Sequence, residues 1–293
     1  MFSLAHIFFL LAGVAAAQSS GGDATTGISA ASYTHRIFHD FRSLDDSGGL
    51  YSSEPARIAN DEDSSAAPIQ PGYLTSDGFV RDFAIQTWGS PAGEDSPLRK
   101  QYSNRNVYIA RDEDTFTTKL VLRAYRNEHF VSSGEIDTKL SNIFHASIRV
   151  RARVRGDPGA CAGLFTYFDD DNESDIEILT RDATDHIRYT NQPGLDENGN
   201  EIPEASSNVV MANGAVWTDW NDHRLDWTPE LSAWYLNGEL AVTKTYGIPR
   251  NPSSFIMNMW GDGGSWSGAM SIGSAAYFEI QWIDILFNVS DSS

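Results

Sequence analysis

The sequence predicts an all-β protein, folded as a two-sheet antiparallel sandwich. Apolar and polar residues alternate with a period of two in many short segments of the 293-residue chain, as they do in strands with one buried face. Pairs of turn-forming residues separate these segments, and no long stretch shows the helical period of about 3.6 residues. Many short strands joined by turns favour a sandwich, and no internal repeat indicates a propeller or a solenoid.

The predicted strands begin after a long polar stretch, where residues 78–80 resume a strand-like pattern. The clearest strand covers residues 145–155, whose apolar residues from Ile148 to Val154 alternate with four arginines. We expect the apolar face to lie inside and the arginines to form a solvated outer face that pairs with neighbouring carboxylates. The other predicted strands are residues 119–125, 163–168, 175–179, 187–190, 222–227, 233–236, 255–260 and 276–287.

The N-terminal residues predict export. Residues 1–17 form an apolar stretch without Asp, Glu, Lys or Arg that ends in three alanines. This pattern is typical of a secretory signal peptide, and the run is too short for a membrane span of ~20 residues. Residues 18–32 are rich in Ser, Gly, Ala and Thr, so we predict a flexible segment there and one folded domain over residues 33–293. The protein is expected to be secreted and extracellular.

The net charge limits the kinds of binding partner, and the cysteine content limits how the fold is stabilised. The formal net charge is −19, which argues against nucleic acid or an anionic membrane and suits a protein that acts on neutral material. Cys161 is the only cysteine, so no intramolecular disulfide can form and packing must hold the fold together. Its small, apolar neighbours indicate a buried, inert thiol.

A row of three carboxylates is the most informative feature of the chain. Glu173, Asp175 and Glu177 lie at positions i, i+2 and i+4, which places all three on one face of a β-strand. Such a row is unfavourable because like charges on one face repel each other. A chain keeps it mainly where the carboxylates do chemistry, bind a metal or line a solvated surface.

Metal and serine chemistry fit the sequence poorly. The acidic run at residues 169–171 resembles the start of a calcium loop, but Thr180 stands where an EF-hand needs a closing Glu. Residues 264–268 place Trp266 where a serine-hydrolase elbow needs its nucleophile. The histidines are scattered, so no zinc motif is present in the sequence. We therefore predict no metal and no cofactor at this site.

Glycoside hydrolysis accounts for the row. It needs two carboxyl groups beside a sugar linkage, about 5–5.5 Å apart for retention of configuration, one as nucleophile and one as acid and then base. Glu173 and Glu177 can approach this separation if their side chains lean together on a twisted strand. Asp175 can then hydrogen-bond the nucleophile and raise the pKa of the acid.

The segment Glu173-Ser174-Asp175-Ile176-Glu177 resembles the Glu-x-Asp-x-Glu signature of glycoside hydrolase family 16. The resemblance extends over about residues 35–288 and implies a curved jelly-roll sandwich like that of concanavalin A. It implies that Glu173 is the nucleophile, Glu177 the acid/base and Asp175 the assisting carboxylate. Further segments that are similar to the family, in order, are residues 36–41, 146–155, 222–229, 234–238, 255–266 and 277–287.

The single residue between Asp175 and Glu177 resembles the branch of the family with a regular catalytic strand. The resemblance implies a secreted, retaining endo-β-glucanase that cleaves β-1,3-glucan or mixed-linkage β-1,3/1,4-glucan by double displacement. Two alternatives stay open. One is a transglycosylase with the same site, and the other is a non-catalytic, glucan-binding lectin, which the intact carboxylate row disfavours.

Sugar contacts are predicted mainly from aromatic residues, which stack on the apolar faces of sugar rings. Trp260 and Trp266 flank a glycine-rich loop and match family positions that line the cleft, and Asn191 matches a family position that contacts sugars. Tyr189, Trp217 and His223 complete the set of candidate substrate-binding residues.

The expected partner is therefore a polysaccharide, with no nucleic acid and no membrane, and the protein is expected to be a monomer. Members of the family often carry a structural calcium ion, but its ligands are not evident in this sequence. Asn288 is favoured over Asn172 as a glycan acceptor, because a glycan on Asn172 would stand beside Glu173.

Overall fold

The computed structural model of the protein describes residues 32–44, 54–59 and 67–290, and this part of the chain is almost entirely β. The predicted signal peptide, residues 1–17, and all of the predicted flexible segment except Ser32 lie outside the described residues. Within the described ranges, no helix has the length and apolar character needed to cross a membrane.

The described residues form β-strands, one short α-helix and three turns of 3-10 helix. The strands are β1 His35–Asp40, β2 Phe83–Ile85, β3 Gly89–Ser90, β4 Arg99–Tyr102, β5 Val107–Asp112, β6 Thr117–Arg126, β7 Phe130–Thr138, β8 Ile143–Gly156, β9 Cys161–Asp169, β10 Asn172–Leu179, β11 His186–Asn191, β12 Ser206–Val210, β13 Asn221–Trp227, β14 Ser232–Leu236, β15 Glu239–Lys244, β16 Ser254–Trp260 and β17 Ala275–Val289. The helix α1 is Asp77–Asp82, and the 3-10 turns are Tyr73–Thr75, Asn104–Asn106 and Ala212–Gly214.

The strands form two sheets. The back sheet has the order β5-β6-β17-β8-β13-β14-β15, with β1 beside the second half of β17. The cleft sheet has the order β2-β7-β16-β9-β10-β11-β12. Neighbouring strands are antiparallel in both sheets, and only the short β4 runs parallel to its neighbour β7. The predicted two-sheet antiparallel sandwich is confirmed.

The core lies between the two sheets because alternate residues of each strand point inward. In β8 these residues are Ile148, Val150, Ala152 and Val154, all buried as predicted. The longest strands, β8 and β17, pair along almost their whole length and form the centre of the back sheet. The cleft sheet contributes Ile176, Met257 and other buried residues of the same core, so its opposite face is free to form a site.

Two expectations about the elements need correction. Residues 78–80 lie in α1 and not in a strand, because the Ser76 side chain caps the helix by accepting a hydrogen bond from the Phe79 N–H. The arginine face of β8 pairs with carboxylates as expected, but it is not uniformly solvated. Arg153 is buried, and it binds Asp112 and Glu279.

Candidate active site

The carboxylate row lies on the outer face of β10, in the middle of the cleft sheet. Ser174, Ile176 and Ile178 of the same strand point into the core, so the alternating Glu173, Asp175 and Glu177 point away from it. All three border a cleft of about 570 Å³. The predicted placement of the three carboxylates on one strand face is therefore present in the structure.

Four neighbouring strands build the floor of this cleft. Directly paired residues of antiparallel strands share a face, and Glu177 pairs with Gly163 of β9, which pairs in turn with Asn258 of β16. Gly163 leaves open space there, since a Cβ at this position would lie 2.7 Å from Asn258 Oδ1. The other residues that border the cleft are Trp88, Lys100, Tyr102, Glu135, Asp137, Phe165, Tyr167, Asp170, Ser254, Ile256 and Trp260.

Glu173 and Asp175 are hydrogen-bonded to each other and can share a proton. Burial, together with repulsion from Glu177 and Asp170, raises the pKa of Glu173 to about 7, although a hydrogen bond with Asp175 opposes this. Burial and repulsion from Glu173 and Glu177 raise the pKa of Asp175 well above its ordinary value. Their mutual hydrogen bond lowers the pKa of Glu173 and raises that of Asp175. The shared proton therefore belongs on Asp175, and Glu173 is the ionised acceptor.

Side chains from other segments donate hydrogen bonds to Asp175 and Glu177. Gln192 Nε2 donates to Asp175 Oδ2 at 2.8 Å, and Trp266 Nε1 donates to Glu177 Oε1 at 3.0 Å. Burial raises the pKa of Glu177, while hydrogen bonds from Trp266 and Cys161 and the charge of Arg188 oppose the rise. Glu177 is thus poised to hold a proton and also to lose it, as an acid/base requires.

The raised pKa of Asp175 predicts that replacing this carboxyl group changes the pH dependence of the free energy of unfolding. A carboxyl with a raised folded-state pKa stabilises the fold fully below its unfolded pKa, near 4, and loses that contribution as the pH rises through the folded pKa. Asp175→Asn keeps the hydrogen bonds to Gln192 and Glu173 but removes this titration. We expect the variant to gain about 1–2 kcal/mol in free energy of unfolding at pH 8 relative to wild type, and much less at pH 4, in denaturant titrations.

A variant that is equally or less stable than wild type at pH 8 would contradict this electrostatic account. The matched control is Glu197→Gln, at an exposed carboxylate that does not border the cleft. Its stability relative to wild type should change little between the two pH values.

The structure brings two of the predicted sugar contacts to the row. Trp260 borders the cleft, and Trp266, 38% exposed, bonds Glu177 directly and stacks under the guanidinium of Arg188 at 4.9 Å. The ammonium of Lys100 lies 4.4 Å from the centre of the Trp260 ring. A sugar that stacks on that side of Trp260 must displace Lys100.

Asn191 and Tyr189 are placed elsewhere, and their prediction as sugar contacts is corrected. Asn191 pairs with Ser174 and Tyr189 pairs with Ile176, so both point into the core. Asn191 accepts a hydrogen bond from Ser174 Oγ and donates one to the Tyr246 carbonyl. The residues of β11 on the cleft face are Arg188 and Thr190, because they pair with Glu177 and Asp175.

Trp217 and His223 also lie away from the cleft. Trp217 is buried and donates its indole N–H to the Ala183 carbonyl. His223 belongs to β13 of the back sheet, where burial lowers its pKa to about 4. Trp217 is part of the core between the sheets, and His223 lies on the inward face of β13, because it pairs with the core residue Val150.

Sequence reasoning missed the far end of the cleft. Trp88 is 48% exposed, and its Nε1 donates to Glu135 Oε1 at 2.7 Å. Glu135 Oε2 accepts from Asn258 Nδ2 at 3.0 Å, and burial together with the charge of Glu135 raises the pKa of the adjacent Asp137 to about 8. The signal was a second pair of carboxylates at i and i+2 in residues 130–138, a weaker copy of the β10 pattern.

Nothing in the described ranges forms a metal cluster: residues 32–44, 54–59 and 67–290 contain no group of three or more His, Cys, Asp and Glu side chains arranged to hold an ion.

An open cleft with a central row of carboxylates is the kind of site that glycoside hydrolysis requires. Residues 98–284, well over half of the chain, match the model of Glycosyl hydrolases family 16. The chain belongs to this family, and it is a glycoside hydrolase.

Relatives and solved structures agree with this assignment. The β-glucanase of Paenibacillus polymyxa is 28% identical over 179 residues, which cover 58% of this chain and 70% of the relative. The β-glucanase of Bacillus subtilis is 28% identical over 143 residues, which cover 46% of this chain and 55% of the relative. A β-1,3-1,4-glucanase (lichenase) structure from a mouse hindgut metagenome superposes with a TM-score of 0.58 at 15% identity, covering 87% of this chain and 99% of that chain. At this identity, the structural likeness shows the fold.

Proposed function

We propose that this chain is a secreted endo-β-glucanase that cleaves β-1,3-glucan or mixed-linkage β-1,3/1,4-glucan with retention of configuration. One observation carries the proposal: Glu173 and Glu177 share one face of β10 in an open cleft, with Asp175 between them. The glucanase names of the relatives support the substrate class. Secretion rests on the apolar residues 1–17, and sequencing the exported protein from Gln18 tests it.

The proposed reaction has two displacements. The Glu173 carboxylate attacks the anomeric carbon, the bond to the leaving sugar breaks, and Glu177 gives its proton to the leaving oxygen. The product of this step is a glycosyl ester on Glu173. Glu177, now ionised, takes a proton from water, whose oxygen attacks the same carbon and releases Glu173 as a carboxylate. Asp175 holds its proton toward Glu173 and thereby keeps the resting nucleophile ionised.

The direct test is incubation with a panel of β-glucans and labelled oligosaccharide acceptors, with the products resolved by mass and anomeric form. Shorter chains that are first released as the β-anomer are the expected result. Products longer than the donor would replace hydrolysis with transfer as the main reaction, and the absence of any new product would leave only glucan binding.

The position of Trp88 predicts that its replacement raises KM for long oligosaccharide substrates and not for short ones. Its exposed ring stands at the far end of the cleft from Glu177, and Glu135 fixes its orientation through the indole N–H. Trp88→Ala should remove on the order of 1 kcal/mol of stacking, about a fivefold rise in KM, for long oligosaccharides and not for the shortest substrates. Steady-state kinetics on an oligosaccharide series measures this effect.

The matched control for Trp88 is Phe38, an aromatic residue of β1 in the back sheet with a similar exposure of 49%. Phe38→Ala should leave KM unchanged at every chain length. An equal rise in KM for all chain lengths in Trp88→Ala would show that Trp88 does not form a remote subsite.

A further inference from the structure

Cys161 contacts the proposed acid/base directly. It is the first residue of β9, it is fully buried, and its thiol donates a hydrogen bond to Glu177 Oε1 at 3.3 Å. The same oxygen accepts the indole N–H of Trp266 at 3.0 Å. Within the part of the chain that the structure describes, these two side chains are the hydrogen-bond donors to Glu177, and both reach the same oxygen.

The neighbouring residue on β9 cannot donate a side-chain hydrogen bond to Glu177. The residue opposite Glu177 on β9 is Gly163, which has no side chain. Cys161 lies two residues away on the same face of β9, directly opposite Trp260 of β16. The Cys161 side chain therefore lies next to the Glu177 carboxyl group and next to Trp260, which borders the cleft.

We propose that Cys161 is a positioning residue for Glu177: its thiol and the Trp266 indole together hold Oε1, so that Oε2 carries the proton exchanged with the glycosidic oxygen. This inference rests on the proposed function, in which Glu177 is the acid/base. A protonated carboxyl group has one oxygen that only accepts hydrogen bonds and one that bears the proton. Two donors aimed at Oε1 make it the accepting oxygen, which assigns the proton to Oε2.

The thiol keeps its proton under working conditions. Burial, together with the nearby charges of Glu177 and Asp175, raises the pKa of Cys161 well above its ordinary value. A protonated thiol donates a weak hydrogen bond, and it remains a donor whether Glu177 is protonated or ionised. Because the bond is stronger to the ionised carboxylate, it favours release of the proton and opposes the effect of burial on Glu177.

The test compares two substrates that share a sugar portion but differ in leaving group. One is an oligosaccharide, whose leaving oxygen needs a proton, and the other is a 2,4-dinitrophenyl glycoside, whose leaving group departs without one. Cys161→Ala should lower kcat/KM about tenfold for the oligosaccharide, the effect of losing one hydrogen bond in the transition state. It should change kcat/KM for the dinitrophenyl glycoside by less than about twofold, since proton donation is not required.

The pH profile provides a second readout. kcat/KM falls at high pH as the acid loses its proton, and loss of a donor to the ionised form should move this limb to higher pH in Cys161→Ala. The titratable groups that face Glu177, namely Glu173 and Asp175 on β10 and Arg188 on β11, are unchanged in the variant. Cys161→Ser keeps a donor and should restore both the oligosaccharide activity and the position of the limb.

A packing control separates position from stability. Leu164→Val trims a residue of β9 that is buried in the core and does not bond Glu177, and it should affect both substrates equally. The inference is overturned if Cys161→Ala lowers kcat/KM equally for both substrates or for neither of them. It is also overturned if Cys161→Ser does not restore kcat/KM for the oligosaccharide. Glu177→Ala is the reference variant. If it does not retain kcat/KM for the dinitrophenyl glycoside, the proposed function itself has failed.

Discussion

Replacing Glu173 with glutamine is expected to lower kcat for β-glucan by roughly 10⁶-fold, the scale on which removal of a catalytic nucleophile acts. The amide cannot attack the anomeric carbon, so no glycosyl ester forms. Glutamine also removes a buried acid whose pKa is raised to about 7, so the fold should be retained or stabilised at neutral pH. Reducing-sugar release and the far-UV spectrum of the variant measure the two effects.

An alanine at position 173 is expected to allow a new reaction with azide, whose product can be detected directly. Glu173→Ala opens space where the nucleophile stood, and azide can enter from that side and attack a glycoside that has a good leaving group. The product should be the α-glycosyl azide, because a single displacement inverts the configuration. Asp170→Asn, at another carboxylate of the cleft, should keep wild-type activity to within a few-fold. Substantial glucan cleavage by Glu173→Gln would remove Glu173 from the nucleophile role.

Replacing Glu177 with alanine is expected to lower kcat/KM for glucan by about 10²–10⁴-fold, the usual contribution of general acid–base catalysis. The first step then lacks the proton for the leaving oxygen, and the second lacks the base for water. A dinitrophenyl glycoside should still form the glycosyl ester, which then accumulates. Mass spectrometry of the intact protein should show one added glycosyl group on Glu173.

The products and pH dependence of this variant complete the test. Azide should now yield the β-glycosyl azide through two displacements, the opposite anomer to that from Glu173→Ala. The fall of kcat/KM at high pH should disappear, because the group that must stay protonated is gone, while the fall at low pH, set by ionisation of the coupled pair of Glu173 and Asp175, should remain. Accumulation of an unreacted substrate complex in place of the ester would contradict the acid/base role.

These two variants also address the lectin alternative. A glucan-binding protein without catalysis gives no covalent adduct with any leaving group, and neither variant would produce a glycosyl azide. Opposite azide anomers from the two variants would assign to Glu173 and Glu177 the different roles that the resemblance to the family implies for them.

The sequence predicted most strands because one face of each is buried. All nine predicted strands from residue 119 onward are present, since alternation of apolar and polar residues records which face meets the core. The structure also contains β7, which sequence reasoning missed because its centre is Ser132-Ser133-Gly134. These small polar residues weaken the alternation, and the second half of the strand is held by pairing with β16, which lies far away in the chain.

The register between strands explains the mixed outcome for the sugar contacts. The resemblance to the family implied that Asn191 contacts sugars, but a shift of one residue reverses the face of every side chain in a strand. The observed register pairs Ser174 with Asn191 and turns Asn191 inward. Trp260 and Trp266, which flank a glycine-rich loop, both lie near the row in the structure.

The sequence by itself determined the all-β class, the alternation that buries β8, and the three carboxylates on one face of β10, because spacing along a single strand is a local property. Only the tertiary structure decided which residues surround that row. Cys161 beneath Glu177, Gln192 on Asp175 and the remote pair of Trp88 and Glu135 come from different segments. Their meeting depends on strand order and register, which are set by the packing of the whole sandwich and not by any short segment of the chain.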